Sequence, residues 1–458
     1  MPSSPRHLGL ILLATSLAFA LIQLDVTIVN VALPRIASQL HASLTSLQWV
    51  VDAYAVVFSV LLLSAGVMGD RFGAKRVFLI GLAVFAAASL ACGLAPTAEI
   101  LIAARTIQGV GAALMLPSSL TLLNHACEGD AALRSRSIGK WTAAGGVAIA
   151  AGPIVGGLLL HSTSWRSIFL VNIPICIFGG WLSAAKLEEV ARRGEREPLD
   201  LVGQFFAIAA LAGLSAAVIE SRPLGTAHPV VMICAGVAVV AGVAFFLRES
   251  RVPHPMLPLP FFRRPNFSPA LAVGIALNLT YYGIVFVLSL YLQRELRFSA
   301  LTTGLAYLPL TATFIGANIA SGAITARFGG RVPIVLGTFI AAIGFALLLV
   351  AGSHTPYWYF LPAFLLIPTG MGLAIPAVTT AILGATEKTF SGVATGVLNA
   401  GRQAGGAMGV AIFGALCGRS ETNIVHGLRS SAIVATVLLA IVGAIAFRFI
   451  SNVAVNKA

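Results

Sequence analysis

The chain has 458 residues, 58% of them hydrophobic and 10% charged, with a net charge of +13. A soluble fold of this length would need far more polar surface, and the alternation of an outer-membrane barrel is missing. The basic residues sit in short turns between apolar runs, not on one face or in a tail, which argues against a nucleic-acid partner. Backbone groups in lipid must be satisfied within their own segment, so these runs predict an all-α polytopic membrane protein.

In chain order, spans are predicted near 8–33, 44–68, 77–95, 98–123, 138–160 and 166–187. Two more fall near 200–220 and 229–248, and six near 266–292, 300–324, 332–351, 357–382, 391–417 and 431–450. Arg6, the run Leu8–Leu13 and Ala18-Phe19-Ala20 could pass for a secretory signal. The apolar run continues to Leu33, however, and is read as an uncleaved first span. The expected fold is therefore fourteen transmembrane helices with both termini on one side. Most of the 29 Lys and Arg residues fall in turns on the N-terminal side, which makes that side cytoplasmic. The five cysteines are scattered without metal-ligand spacing and read as packing residues.

One charged turn is written twice. GVMGDRFGAKRVFLIG at 66–81 recurs 256 residues later as GAITARFGGRVPIVLG, with Asp70 replaced by Ala326. The turn joins the second and third spans of the first six and of the last six. This predicts two six-helix pseudo-repeats plus an inserted central helix pair. The expected domains are an N-terminal bundle, 1–187, a linker with two extra spans, 188–265, and a C-terminal bundle, 266–458. Parallel six-span halves are a plan of secondary transporters, with substrate held near the midplane.

Charges inside spans are costly and mark function or a buried partner. Asp25, with Gln23, Thr27 and Asn30 at helical spacing, has two open readings: a titrating proton-coupling acid, or a carboxylate that only packs. Arg105 stays protonated when buried. Gln108, Gly109 and Gly111 beside it allow close helix approach. It is either a fixed charge that tunes an acid or half of a structural ion pair. Gly152, Pro153, Gly156 and Gly157 interrupt the fifth span, for packing or as a hinge.

Taken together, these stretches resemble the major facilitator superfamily, in its fourteen-span branch of drug:proton antiporters. GVMGDRFGAKRVFLIG resembles the family's cytoplasmic turn, LIAARTIQGVGAALMLPSS its fourth-span arginine motif, and WTAAGGVAIAAGPIVGG its antiporter motif. LDVTIVNVALPRI is similar to the first-span motif of that branch, and WRSIFLVNIPI also has a counterpart there. SLACGLAPTAEILIAAR and HTPYW add a likeness to methylenomycin A resistance-type and related multidrug exporters. The resemblance implies that Gly66, Asp70, Arg71, Gly73, Lys75 and Arg76 form a conformational latch, with Asp70 gripping the N-terminal end of the span beginning near Ser391. Lys75 and Arg76 as mere topology determinants stays an open reading.

The implied function is proton-coupled export of small amphipathic compounds from a bacterial inner membrane, powered by the proton gradient without a cofactor. The alternative is transport of a metabolite with no resistance role. Expected cavity residues are Asp52, Tyr54, Gln108, Trp141, Asn278, Tyr281, Tyr282, Tyr307, Arg402 and Gln403, where aromatic faces suit apolar or cationic compounds. For each aromatic, ordinary packing is the competing reading. Few acids and two span arginines tilt the expected substrates toward neutral or weakly acidic compounds. Expected partners are the substrate, protons and the lipid bilayer; a periplasmic adaptor is left open. A membrane enzyme or an ATP-driven pump would need a catalytic set or a phosphate-binding loop, and neither is seen in the sequence.

Overall fold

A computed structural model describes residues 5–127, 131–189, 200–253, 255, 257, 259–353, 355–386, 391–417 and 424–451. Every regular element among them is helical. The chain runs through α1 (Pro5–Leu40), α2 (Leu44–Phe72), α3 (Ala74–Leu94), α4 (Ala98–Ala126), α5 (Ala131–Ser162), the short α6 (Ser167–Leu170) and α7 (Asn172–Lys186). Two helices follow, α8 (Leu201–Leu224) and α9 (Pro229–Glu249). The last group is α10 (Phe267–Arg294), α11 (Ala300–Ala306), α12 (Leu308–Phe328), α13 (Arg331–Leu347), α14 (Leu361–Gly384), α15 (Ser391–Leu416) and α16 (Ile424–Phe449).

Among the described residues twelve helical segments are long and apolar enough to cross a bilayer, or thirteen if the bent α5 is one span. This differs from the fourteen expected, at two places with identifiable causes. α5 divides into Ser137–Ile149 and Ala151–Ser162, inclined by 41°. Pro153 has no N–H to give the carbonyl four residues back, that of Ile149, and the bend falls there. α15 has 26 residues, ample length, but its many glycines with Asn399, Arg402 and Gln403 dilute its apolar character.

Contacts divide the chain into two compact units. The first is Met1–Ile208 with Ala300–Leu305; the second is Ala209–Ser299 with Ala306–Ala458. The boundary thus falls inside α8. In the first unit α4 packs on α2 and α3, and α1 lies along α5. In the second, α14 packs on α12 and α13, and α10 lies along α15. The two units repeat one plan at atomic scale. Gly81 on α3 faces Gly111 on α4, and Gly337 on α13 faces Gly370 on α14. In both pairs a Cβ would strike the partner's backbone carbonyl, so two helices approach at bare backbone.

The duplicated turn is also one shape used twice. Gly73 (φ 96°) and Gly329 (φ 81°) occupy backbone space open to glycine at little cost. Their N–H groups donate to Gly69 O at 3.0 Å and Thr325 O at 2.9 Å. The guanidinium of Arg71 lies 5.3 Å from the Phe72 ring, and that of Arg327 lies 5.1 Å from the Phe328 ring. Both positive-φ glycines let the chain leave one helix and enter the next without a linker.

Candidate functional site: a buried acid and arginine

Asp25 of α1 and Arg105 of α4 meet inside the first unit, both almost wholly enclosed. Arg105 Nη1 donates to Asp25 Oδ2 at 2.5 Å and to Gln108 Oε1 at 2.6 Å, and Nε donates to the Val50 carbonyl at 3.0 Å. Gln108 Nε2 donates to Asp25 Oδ1 at 2.9 Å and to Ser89 Oγ at 2.9 Å. Asn172 Nδ2 donates to Asp25 Oδ1 at 3.1 Å. Three donors converge on one carboxylate. The side chains come from α1, α3, α4 and α7, and α2 supplies a carbonyl. The Tyr54 ring lies 4.3 Å beneath the guanidinium, a cation–π contact from α2.

Packing brings these helices close enough to share one charge pair. A Cβ on Gly109 would lie 2.6 Å from the Tyr54 carbonyl, so glycine at this position lets α2 rest on α4 beside Arg105. Two of the polar neighbours expected beside Asp25 on α1, Thr27 and Asn30, bond elsewhere. Thr27 Oγ1 donates to the carbonyls of Gln23 and Leu24, each at 3.2 Å, and Asn30 Nδ2 to that of Val26 at 3.1 Å. Those bonds are local to one helix; the bonds to Asp25 come from other helices.

α5 packs on α1 through its glycines. A Cβ on Gly152 would lie 2.0 Å from Thr27 Oγ1, and one on Gly156 would lie 3.0 Å from Ile28 Cγ1. On another side of the helix, Gly157 abuts Ala300 and Leu301, and Gly304 abuts the Pro153 carbonyl. The four residues therefore serve two contacts at once, one to α1 and one to the segment Ala300–Leu305.

At the duplicated turn, Lys75 Nζ donates to the carbonyls of Ala184 at 2.9 Å and Leu187 at 2.7 Å. It closes the C-terminus of α7, where a cation is favoured by the helix dipole. The Glu189 carboxylate sits over Gly73, where a Cβ would lie 2.0 Å from Oε1. Arg76 is exposed, and Gly66 has open space around it. The backbone of Asp70 belongs to α2, but its side chain, like those of Ala326 and Ser391, lies outside the described residues.

The residues expected to line a cavity fall in several places. Gln108 and Tyr54 belong to the Asp25–Arg105 cluster. Trp141 stacks on Phe19 with ring centroids 4.0 Å apart. In the second unit, Tyr307 stacks on Phe364 at 5.9 Å, and its hydroxyl shares a hydrogen bond with Ser289 at 3.1 Å. Tyr281 and Tyr282 are edge-to-face neighbours at 5.4 Å on α10. Asn278 Nδ2 donates to Gly274 O at 3.1 Å, and Arg402 and Gln403 are partly exposed on α15.

The family model of the Major Facilitator Superfamily matches residues 15–410. The chain belongs to this superfamily. It is 38% identical over 445 residues to the methylenomycin A resistance protein of Streptomyces coelicolor, covering 97% of this chain and 93% of that one. It is 37% identical to the methylenomycin A resistance protein of Bacillus subtilis, covering 90% and 88%. It is 34% identical to the multidrug resistance protein Stp of Mycobacterium tuberculosis, covering 89% and 75%. Among solved structures, a POT family transporter in complex with a thioalcohol-conjugated peptide aligns with TM-score 0.71 over 97% of this chain and 96% of that one. At 14% identity that likeness is one of fold alone. The chain is thus an integral, multi-pass membrane protein.

Within this superfamily chain, Ser89 and Asn172 are cluster members that sequence reading does not single out. Asn172 had a signal, a lone amide in the apolar run SIFLVNIPI; Ser89, in FAAASLACG, had none. Asp52 stands apart from the cluster. It is fully enclosed on α2, and neither carboxyl oxygen meets a donor among the described residues. An enclosed carboxyl with no partner is costly in either protonation state. Asp52→Leu, which keeps the branched skeleton and removes both polar oxygens, is expected to raise the melting temperature of purified protein by a few degrees. A lowered melting temperature would show that Asp52 has a partner it needs.

Proposed function

We propose that the chain is a fourteen-span, proton-coupled exporter of small amphipathic compounds, drugs and antibiotics among them. It works by alternating access in a bacterial inner membrane, with both termini cytoplasmic. The observation that carries the export reading is similarity across nearly the whole chain to proteins named for resistance to methylenomycin A. Tetracenomycin C resistance and export, and drug efflux, name further relatives at 32% identity. Support for fourteen spans comes from adding α15 and the bent α5 to the twelve apolar segments. Support for the orientation comes from the basic turns.

Asp25 is the group that exchanges protons, and Arg105 is the permanent cation beside it. Protonating Asp25 removes the charge that holds Arg105, and the guanidinium is also bound to Gln108 and to the α2 backbone. A proton on one atom therefore loosens contacts among several helices at once. The driving terms are about 2.3 kcal/mol per charge per 100 mV and about 1.4 kcal/mol per pH unit. The test is a susceptibility panel in a pump-deficient host. Wild type is expected to raise the tolerated concentration of at least one compound, and Asp25→Asn to abolish that gain at equal membrane expression. Full resistance in Asp25→Asn would remove this residue from coupling.

A further inference from the structure

The second unit contains a charge with no answer. Arg402 lies in the interior of α15, and no acidic residue occurs in α10 to α16. Among the described residues no carboxylate is within ion-pair reach of it, and its Nε is enclosed without an acceptor. Arg105 is the contrast: its guanidinium is engaged by an acid, an amide and a carbonyl. A guanidinium cannot shed its proton to escape the membrane interior. Arginines at such depth face a partner or a watery cavity, and Arg402 is partly exposed.

The neighbours of Arg402 on α10 lie along its stem, and no acceptor meets its Nε. Gly274 of α10 lies beside that stem: a Cβ there would sit in ordinary contact with Arg402 Cγ, at 3.6 Å, and would press on Leu398 Cδ1, at 2.9 Å. Asn278 and Tyr282 follow Gly274 at four-residue steps along α10, so all three share one face. Tyr282 is near enough to interact electrostatically with Arg402. Its ring rests on Gly406, one turn beyond Arg402, where a Cβ would lie 2.8 Å from Tyr282 Cδ2. Leu271 and Ile275 pack against Gly401 beside it. A permanent cation, a phenol and an apolar wall thus lie along a single helix pair.

We propose that Arg402 is the receptor for the carboxylate of the transported compound, with Tyr282 as a second polar contact, so that the preferred cargo is an amphipathic monocarboxylate. A carboxylate fits because its two oxygens match the planar fork of a guanidinium, and because it brings the negative charge that α10–α16 lack. This rests on the exporter reading above and names its substrate class.

The probes are 4-phenylbutyrate, its primary amide 4-phenylbutyramide, and the cation 4-phenylbutyltrimethylammonium, similar in shape and different in charge. Their binding to purified full-length protein is measured at neutral pH with radiolabelled compound. The carboxylate is expected to bind about 10- to 100-fold more tightly than the amide, the size of one charged hydrogen-bonded contact. Arg402→Gln should erase that preference, bringing carboxylate affinity down to that of the amide, and Arg402→Lys should keep part of it. In parallel, pH-driven ethidium flux in reconstituted vesicles reads the exporter function itself. Ethidium flux with the carboxylate bound no better than the amide or the cation overturns the carboxylate assignment alone. A preference that survives in folded Arg402→Gln overturns it too. Absence of pH-driven flux for ethidium and for 4-phenylbutyrate overturns the exporter reading and this one with it.

Discussion

Arg105→Ala is expected to strip the first unit of its central charge pair and to leave little folded protein in the membrane. The substitution removes the cation beside an enclosed carboxylate, takes one donor from the Val50 carbonyl, and leaves Gln108 Oε1 only the weak Cys92 thiol at 3.7 Å. Breaking a buried pair on one side costs about 3–5 kcal/mol, a large share of the roughly 5–15 kcal/mol that holds a typical domain together. The stacking on Tyr54, worth about 0.5–2 kcal/mol, goes as well. Arg105→Lys should recover little, because an ammonium cannot span Asp25, Gln108 and Val50 from one planar head. The discriminating variant is the double change Asp25→Leu with Arg105→Met. It removes both charges, and Gln108 and Asn172 still have Ser89 as a partner. It should restore monodisperse protein in detergent while transport stays absent. Recovery of transport in the double variant would make the pair a structural one.

Gly152→Ala should abolish resistance, the second large effect. The new methyl would lie 2.0 Å from Thr27 Oγ1, 2.8 Å from Thr27 Cβ and 3.1 Å from the Ile28 backbone nitrogen. The Thr27 hydroxyl is held by two carbonyls of its own helix, so it does not simply swing aside. Overpacking of this kind costs about 1–3 kcal/mol, and here it pushes α5 off α1 two residues from Asp25. Thr27→Ala in the same chain should return part of the activity, since it removes the nearest atom and leaves the Cβ. Gly146→Ala, on the same helix with nothing within 4 Å of its Cβ, is the control and should behave as wild type. Equal activity of the Gly146 and Gly152 variants would mean that this approach of α5 to α1 is not needed for transport.

The resemblance read from the motifs reached the superfamily and the exporter branch, because those motifs are local words: a turn that needs glycine at positive φ, a proline that bends α5, arginines that lipid penalises. The paired turns illustrate it. Gly73 and Gly329 stand in the sequence as a repeat, and the fold gives both the same backbone conformation. The span count was less legible, since hydropathy measures side chains facing everywhere at once. α15, with its glycines and Arg402, reads as weakly apolar although it is as long as its neighbours.

By itself the sequence determined the material of this protein: helices, because apolar runs in lipid leave the backbone no other partner; their repeat; and the two charges, Asp25 and Arg105, too costly to face hydrocarbon. Only the tertiary structure decided who answers those charges. Ser89 and Asn172 come from α3 and α7, and Lys75 closes α7 across more than a hundred residues of chain. Such partners are chosen by which helices glycine contacts allow to touch, and a distance in space between helices has no fixed spacing along the chain.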